Sequence, residues 1–121
     1  MIESEVEAMD RARLIAELLG YERPLRDVLA DLAPLDWDSD EPLAELKASH
    51  IRHVLARYFQ AELSAAQIEE WANAIECRED IGYESSSPEG DIIFELANPD
   101  MTAQLNPARA EQILRLLSGN S

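Results

Sequence analysis

Apolar residues along the chain recur at three- and four-residue spacings, the pattern of helices that bury one face. Val6, Met9, Leu14, Ile15, Leu18 and Leu19 form the first stripe. Ser4-Glu5-Val6-Glu7 reads as a capping box, so a helix is predicted from about residue 5 to 19, with Gly20 placed as its left-handed C-terminal residue. Leu25, Val28, Leu29 and Leu32 then repeat at i, i+3, i+4 and i+7. Pro24 suits the first turn of this second helix, and Pro34 stops it.

A third helix is expected to begin near Pro42, capped by Asp40 or Ser39, and to be the longest. Its stripe is Leu43, Leu46, Ile51, Val54, Leu55, Tyr58 and Phe59. Ser64-Ala65-Ala66-Gln67 is a second capping box, and Leu63 before the cap is positioned to staple Ile68. Ile68, Trp71, Ala72 and Ile75 give that fourth helix its inward face, where Trp71 reads as core.

Residues 77 to 87 read as a loop, because Gly82 and Ser85-Ser86-Ser87 interrupt any period, while Ile81 and Tyr83 pin it to the body. Ile92-Ile93-Phe94 has the β-branched and aromatic content of a strand. Helix is nevertheless preferred there, since Ser87-Pro88-Glu89 supplies a cap, a first-turn proline and an N-terminal acid. Asn106-Pro107 starts a last helix with Ala110, Ile113, Leu114 and Leu117 inward and Gly119 beyond its end. The expectation is one all-α domain over residues 1–121, six helices in a bundle or orthogonal packing, with no internal repeat and no linker.

Composition sharpens this picture. The 121 residues include 46% hydrophobic, 4 Gly and 6 Pro, enough apolar content for one core and too little turn content for disorder. No apolar run approaches the roughly 18 to 20 residues of a membrane span, and Met1 leads into Ile2-Glu3-Ser4-Glu5 in place of a signal sequence. A cytoplasmic protein is therefore expected. One cysteine, Cys77, rules out an intramolecular disulfide.

Candidate chemistry is sparse. His50 and His53 stand at i and i+3 and could share a metal, but they are two ligands only, and the Glu-x-x-His pairs of a di-iron bundle are missing. Asp36-Trp37-Asp38-Ser39-Asp40 imitates the start of a calcium loop, yet Glu41 replaces its glycine and Lys47 its closing glutamate. Cys77 has Arg78 beside it, and an adjacent cation can activate a thiol, but no histidine adjoins it as a base. Neither cofactor, metal site nor catalytic residue is expected, and the reading is of a non-enzyme.

Charge placement says more. With 10 Lys and Arg against 25 Asp and Glu, the net charge is −15. Residues 61 to 100 hold eleven acids and one base, Arg78, and residues 31 to 45 hold six acids and none. Such a field opposes nucleic-acid and anionic-membrane binding and attracts a basic protein surface. It also simply keeps a protein soluble. Aromatic residues among the acids favour recognition, because Trp37 and Tyr83 are the kind of side chain that anchors interfaces. The candidate contact residues are Asp36, Trp37, Asp38, Asp40 and Glu41, with Glu79, Asp80, Tyr83 and Glu84.

Tyr58-Phe59-Gln60-Ala61-Glu62-Leu63-Ser64, Glu70-Trp71-Ala72-Asn73, Arg78-Glu79-Asp80-Ile81 and Ile93-Phe94-Glu95-Leu96-Ala97-Asn98-Pro99 together resemble a set of small acidic helical bacterial proteins. These look like immunity partners of polymorphic toxins, and the resemblance spans roughly residues 54 to 117. It implies a binding protein that sequesters a basic toxin domain, and it carries no contact residue over to this chain. The competing expectation is a housekeeping or assembly subunit, a homodimer through an apolar helix face.

Overall fold

In a computed structural model the chain is described over residues 2–34, 43–78, 80–84, 86–102 and 104–119, without the side chains of 2–10, 118 and 119. Among these residues the fold has six helices: α1 (Ile2–Gly20), α2 (Leu25–Leu32), α3 (Ala48–Phe59), α4 (Ala65–Glu76), α5 (Pro88–Ala97) and α6 (Pro107–Gly119). Two strands of two residues each, β1 (Ala44–Glu45) and β2 (Ile81–Gly82), pair in parallel. No helix among the described residues is long and apolar enough to cross a membrane.

Local signals carry four of the helices. Ser64 Oγ accepts from the Gln67 N–H at 3.1 Å while Gln67 Oε1 accepts from the Ser64 N–H at 2.8 Å, so α4 starts on a complete capping box. Ser87 Oγ accepts from Gly90 N–H ahead of α5, and Asn106 Oδ1 from Arg109 N–H ahead of α6. Residues 92–94 are therefore helical, and the strand alternative falls. In α2, Pro24 stands just before the first helical residue, and Leu25, Val28 and Leu32 are buried.

Three expectations are corrected. Helix α1 already runs from Ile2, so Ser4 lies inside it and is not its cap, and at 19 residues α1 is the longest helix. Helix α3 begins at Ala48, not near Pro42, and has 12 residues. Leu43 and Leu46 flank β1 ahead of it, where Leu43 N–H donates to Asp80 O at 2.8 Å and Leu46 N–H to Gly82 O at 2.9 Å. Those bonds to a distant segment outcompete another helical turn. The proposed caps Ser39 and Asp40 lie outside the described residues. Lastly, Gly20 is not left-handed; the residue after it, Tyr21, has φ 50°.

Tyr21 closes α1 as a Schellman motif: Glu22 N–H bonds to Glu17 O at 3.0 Å and Tyr21 N–H to Leu18 O at 3.1 Å. Ala61, with φ 63°, closes α3 in the same way, with Glu62 N–H on Arg57 O and Ala61 N–H on Tyr58 O. Arg57 laces the two ends together. Its Nη1 donates to Tyr21 O at 2.6 Å, and its guanidinium carbon stands 5.3 Å from the Tyr21 ring centre.

The core runs through all six helices. Helix α5 packs along α4, α2 along α1, and α3 lies against α1 and α6. Ile15, Leu18, Val28, Ile51, Leu55, Ile68, Ile75, Ile93 and Ile113 are essentially inaccessible to solvent. Trp71 lies among them, and its Nε1 donates 2.8 Å to Leu18 O, satisfying both a buried indole and a carbonyl in the last turn of α1.

A left-handed alanine is strained by its Cβ, and Ala61 is solvent-exposed, so glycine relieves the strain without disturbing packing. Ala61→Gly is expected to raise stability by about 0.5–1 kcal/mol, seen as a melting temperature a few degrees higher in a thermal scan.

Candidate binding surface along the strand pair

Asp80 organises the region where β1 meets β2. Its side chain is completely buried, which a carboxylate tolerates only opposite well-placed cations. Arg78 supplies a planar fork, Nε to Oδ1 and Nη2 to Oδ2, both at 2.9 Å. Arg11 of α1 brings Nε to 3.5 Å from Oδ2. The Asp80 carbonyl meanwhile accepts from Leu43 N–H, and from Ala44 N–H at 3.4 Å. One residue thus ties α1, the exit from α4 and the first strand together.

The strand register follows from this anchor: Ala44 lies opposite Ile81 and Glu45 opposite Gly82. Glu45 ends the acidic stretch 31–45, and Gly82 belongs to the acidic stretch 61–100, so the two stretches meet at the strand pair. A groove of about 1020 Å³ opens there, lined by residues 43–48, 81–84, Ser87 and Glu89. Tyr83 is half-buried in its lining, Glu45 and Glu84 are exposed, and Glu89 is half-exposed. Burial foremost, then Glu76 and Cys77 nearby, raises the Tyr83 hydroxyl pKa, so the phenol stays neutral at physiological pH.

Of the nine contact candidates, Asp36, Trp37, Asp38, Asp40, Glu41 and Glu79 lie outside the described residues. Tyr83 and Glu84 stand together on the groove. Asp80 is a correction: its carboxylate is enclosed by Arg78 and Arg11 and presents nothing to a partner. Glu45 and Glu89 were missed as site residues. Nothing local distinguishes them from other acids, because the register that places Glu45 beside Gly82 depends on pairing across the chain.

His50 has a local task. Its Nδ1 accepts from Lys47 N–H at 3.0 Å, standing in at the third position of α3 for the glutamine that caps α4. His53 is exposed, and no group of three or more His, Cys, Asp or Glu residues among those described could hold a metal ion. Cys77 is exposed at the end of α4.

Arginine use shapes the remaining field. Arg11 and Arg78 face Asp80, Arg23 faces Glu17 and Asp31, Arg57 Glu62, Arg109 Glu95 and Arg115 Glu111. The Arg109 fork takes both oxygens of Glu95 and joins α6 to α5. None of these pairs engages Glu45, Glu84 or Glu89.

Two outcomes test the local roles. Asp80→Asn keeps the side chain's shape but takes the counter-charge from the poorly solvated Arg78 fork, so it is expected to cost about 3–5 kcal/mol in denaturant unfolding. For His50, burial foremost and then the charges of Lys47 and His53 push the pKa below its ordinary 6.5. The unfolded chain therefore takes up the proton more readily, and stability falls as pH drops below that value. His50→Gln keeps an acceptor for Lys47 N–H and is expected to flatten this decline, measured as denaturation midpoints between about pH 7.5 and 5.5.

Compared with known proteins, the chain matches no family model, no curated protein and no solved structure.

Proposed function

We propose that the protein is a cytoplasmic, non-enzymatic binding module whose acidic surface sequesters a basic protein partner, a bacterial toxin domain being the partner that the family resemblance implies. The observation that carries this reading is the meeting of the two acidic stretches at the strand pair, where Glu45, Glu84 and Glu89 line one groove with a half-buried tyrosine. Carboxylates outside the ion pairs of the described residues act on an approaching cation over about 8 to 10 Å at physiological salt. An aromatic side chain among them offers an anchor once contact is made. The same field repels nucleic acid and anionic lipid. The polar groups that most resemble catalytic machinery are otherwise employed, His50 in a helix cap and Asp80 in an ion cluster.

A second reading, self-association through an apolar helix face, draws on the exposure of Phe59, Phe94, Met101 and Leu116. Light scattering separates the two: a salt-insensitive dimer favours self-association, a monomer favours the foreign partner.

The test of the leading reading is capture of partners on the immobilised protein, eluted by a salt gradient and identified by mass spectrometry. One basic protein retained in stoichiometric amount is the expected result. Reversing Glu79 and Glu84 to lysine, with the structural Asp80 left intact, should slow its association roughly tenfold at low salt and flatten the salt dependence. Retention of no basic protein overturns sequestration.

A further inference from the structure

We infer that the groove beside β1 and β2 seats an extended segment of the basic partner bearing arginine or lysine, with a cationic side chain over Tyr83 and the carboxylates of Glu45, Glu84 and Glu89 around it. This deepens the reading above and rests on it. The groove, at about 1020 Å³, is at the top of the roughly 300–1,000 Å³ usual for small-molecule sites, room for several residues of chain. Ala44, Ala48 and Gly82 add little bulk to its lining, so a foreign main chain can come close.

The strand pair also suits an extended occupant. Ala44 and Leu46 direct their N–H groups to Asp80 and Gly82 of the β2 segment. In a parallel ladder the residue between, here Glu45, turns its N–H and C=O to the other side, where an added strand could bond to them. Glu45 is exposed. Charge then selects the occupant: three carboxylates and one ammonium, Lys47, line the groove. A neutral phenol ring in the same lining as three carboxylates favours a guanidinium or ammonium group over its face, since both the ring quadrupole and the acids attract it.

The test uses a dodecapeptide alternating arginine with glycine, and its uncharged counterpart in which citrulline replaces arginine. Each is titrated into the isotopically labelled full chain, followed by amide NMR. The arginine peptide is expected to shift the amides of Glu45, Gly82, Tyr83 and Glu84 foremost, and the citrulline peptide to leave them in place. The combined Glu45→Gln, Glu84→Gln, Glu89→Gln variant should bind the arginine peptide roughly 10- to 100-fold more weakly, and Tyr83→Leu roughly threefold to tenfold more weakly. Circular dichroism confirms that both variants remain folded. A control variant, Asp27→Asn, Glu70→Gln, Asp100→Asn, removes the same charge away from the groove and should bind almost as well as the parent.

Equal weakening by the control, or shifts spread over every acidic surface, overturns the groove and leaves sequestration by diffuse charge standing. The same shifts appearing on concentrating the protein alone would make a second copy the occupant, and overturn the proposal. A captured basic protein that binds the groove variant undiminished sinks this inference alone. Failure to capture any basic protein sinks the reading beneath it.

Discussion

The ion cluster at Asp80 is the constraint on which the rest of the surface depends. A carboxylate with no solvent contact is tolerated only if its neighbours replace water, which the Arg78 fork does by two hydrogen bonds while Arg11 adds its charge from α1. The arrangement fixes the main chain leaving α4 against α1. Held there, the Asp80 carbonyl becomes the acceptor from which the first strand is built. A parallel pair of two residues has almost no stability of its own, so its register is inherited from the side-chain cluster. The groove, and the meeting of the two acidic stretches, inherit it in turn.

At the C-terminal ends of α1 and α3 the chain solves a different problem. Both helices stop in the left-handed region without glycine, a conformation that disfavours a Cβ. The local strain at Tyr21 is offset by burial of its ring, by the Arg57 guanidinium over that ring, and by the Arg57 bond to its carbonyl. Ala61 has no such enclosure, although it uses the same backbone bonds. Trp71 reaches the neighbouring carbonyl of Leu18, so the last turn of α1 is held by side chains from both α3 and α4.

How much was legible in the chain follows from the range of each signal. Ser64 with Gln67, Ser87 with Pro88 and Asn106 with Pro107 are contacts within one turn, and the helices they start were read correctly. Leu43 and Leu46 fit the apolar spacing of α3 equally well as helix or as buried extended chain. Only their bonds to residues 80 and 82 decide, and those cross more than thirty positions. Asp80 misled for a related reason. An acid within an acidic run reads as surface, and its burial depends on Arg11, 69 positions away. One local clue existed: Arg78, the lone base among residues 61 to 100, stands two residues before Asp80. A solitary arginine in so acidic a stretch is more economically explained as an internal partner than as part of a binding face.

That clue bears on how acids can crowd the groove at all. The buried cluster sets the guanidinium groups of Arg78 and Arg11 against the Asp80 carboxylate immediately before the residues that line the groove. Glu45, Glu84 and Glu89 with Lys47 give that lining an excess of two negative charges. Those outer side chains face solvent, which screens the repulsion among their carboxylates. None of the ion pairs among the described residues uses these acids, which leaves their hydrogen-bonding capacity to water. Replacing Asp80 by a neutral residue would remove one buried negative charge yet release the strand that carries Glu45. The electrostatic gain is useless without the geometry, so the cluster acts on recognition first as a structural anchor and only second as a source of charge.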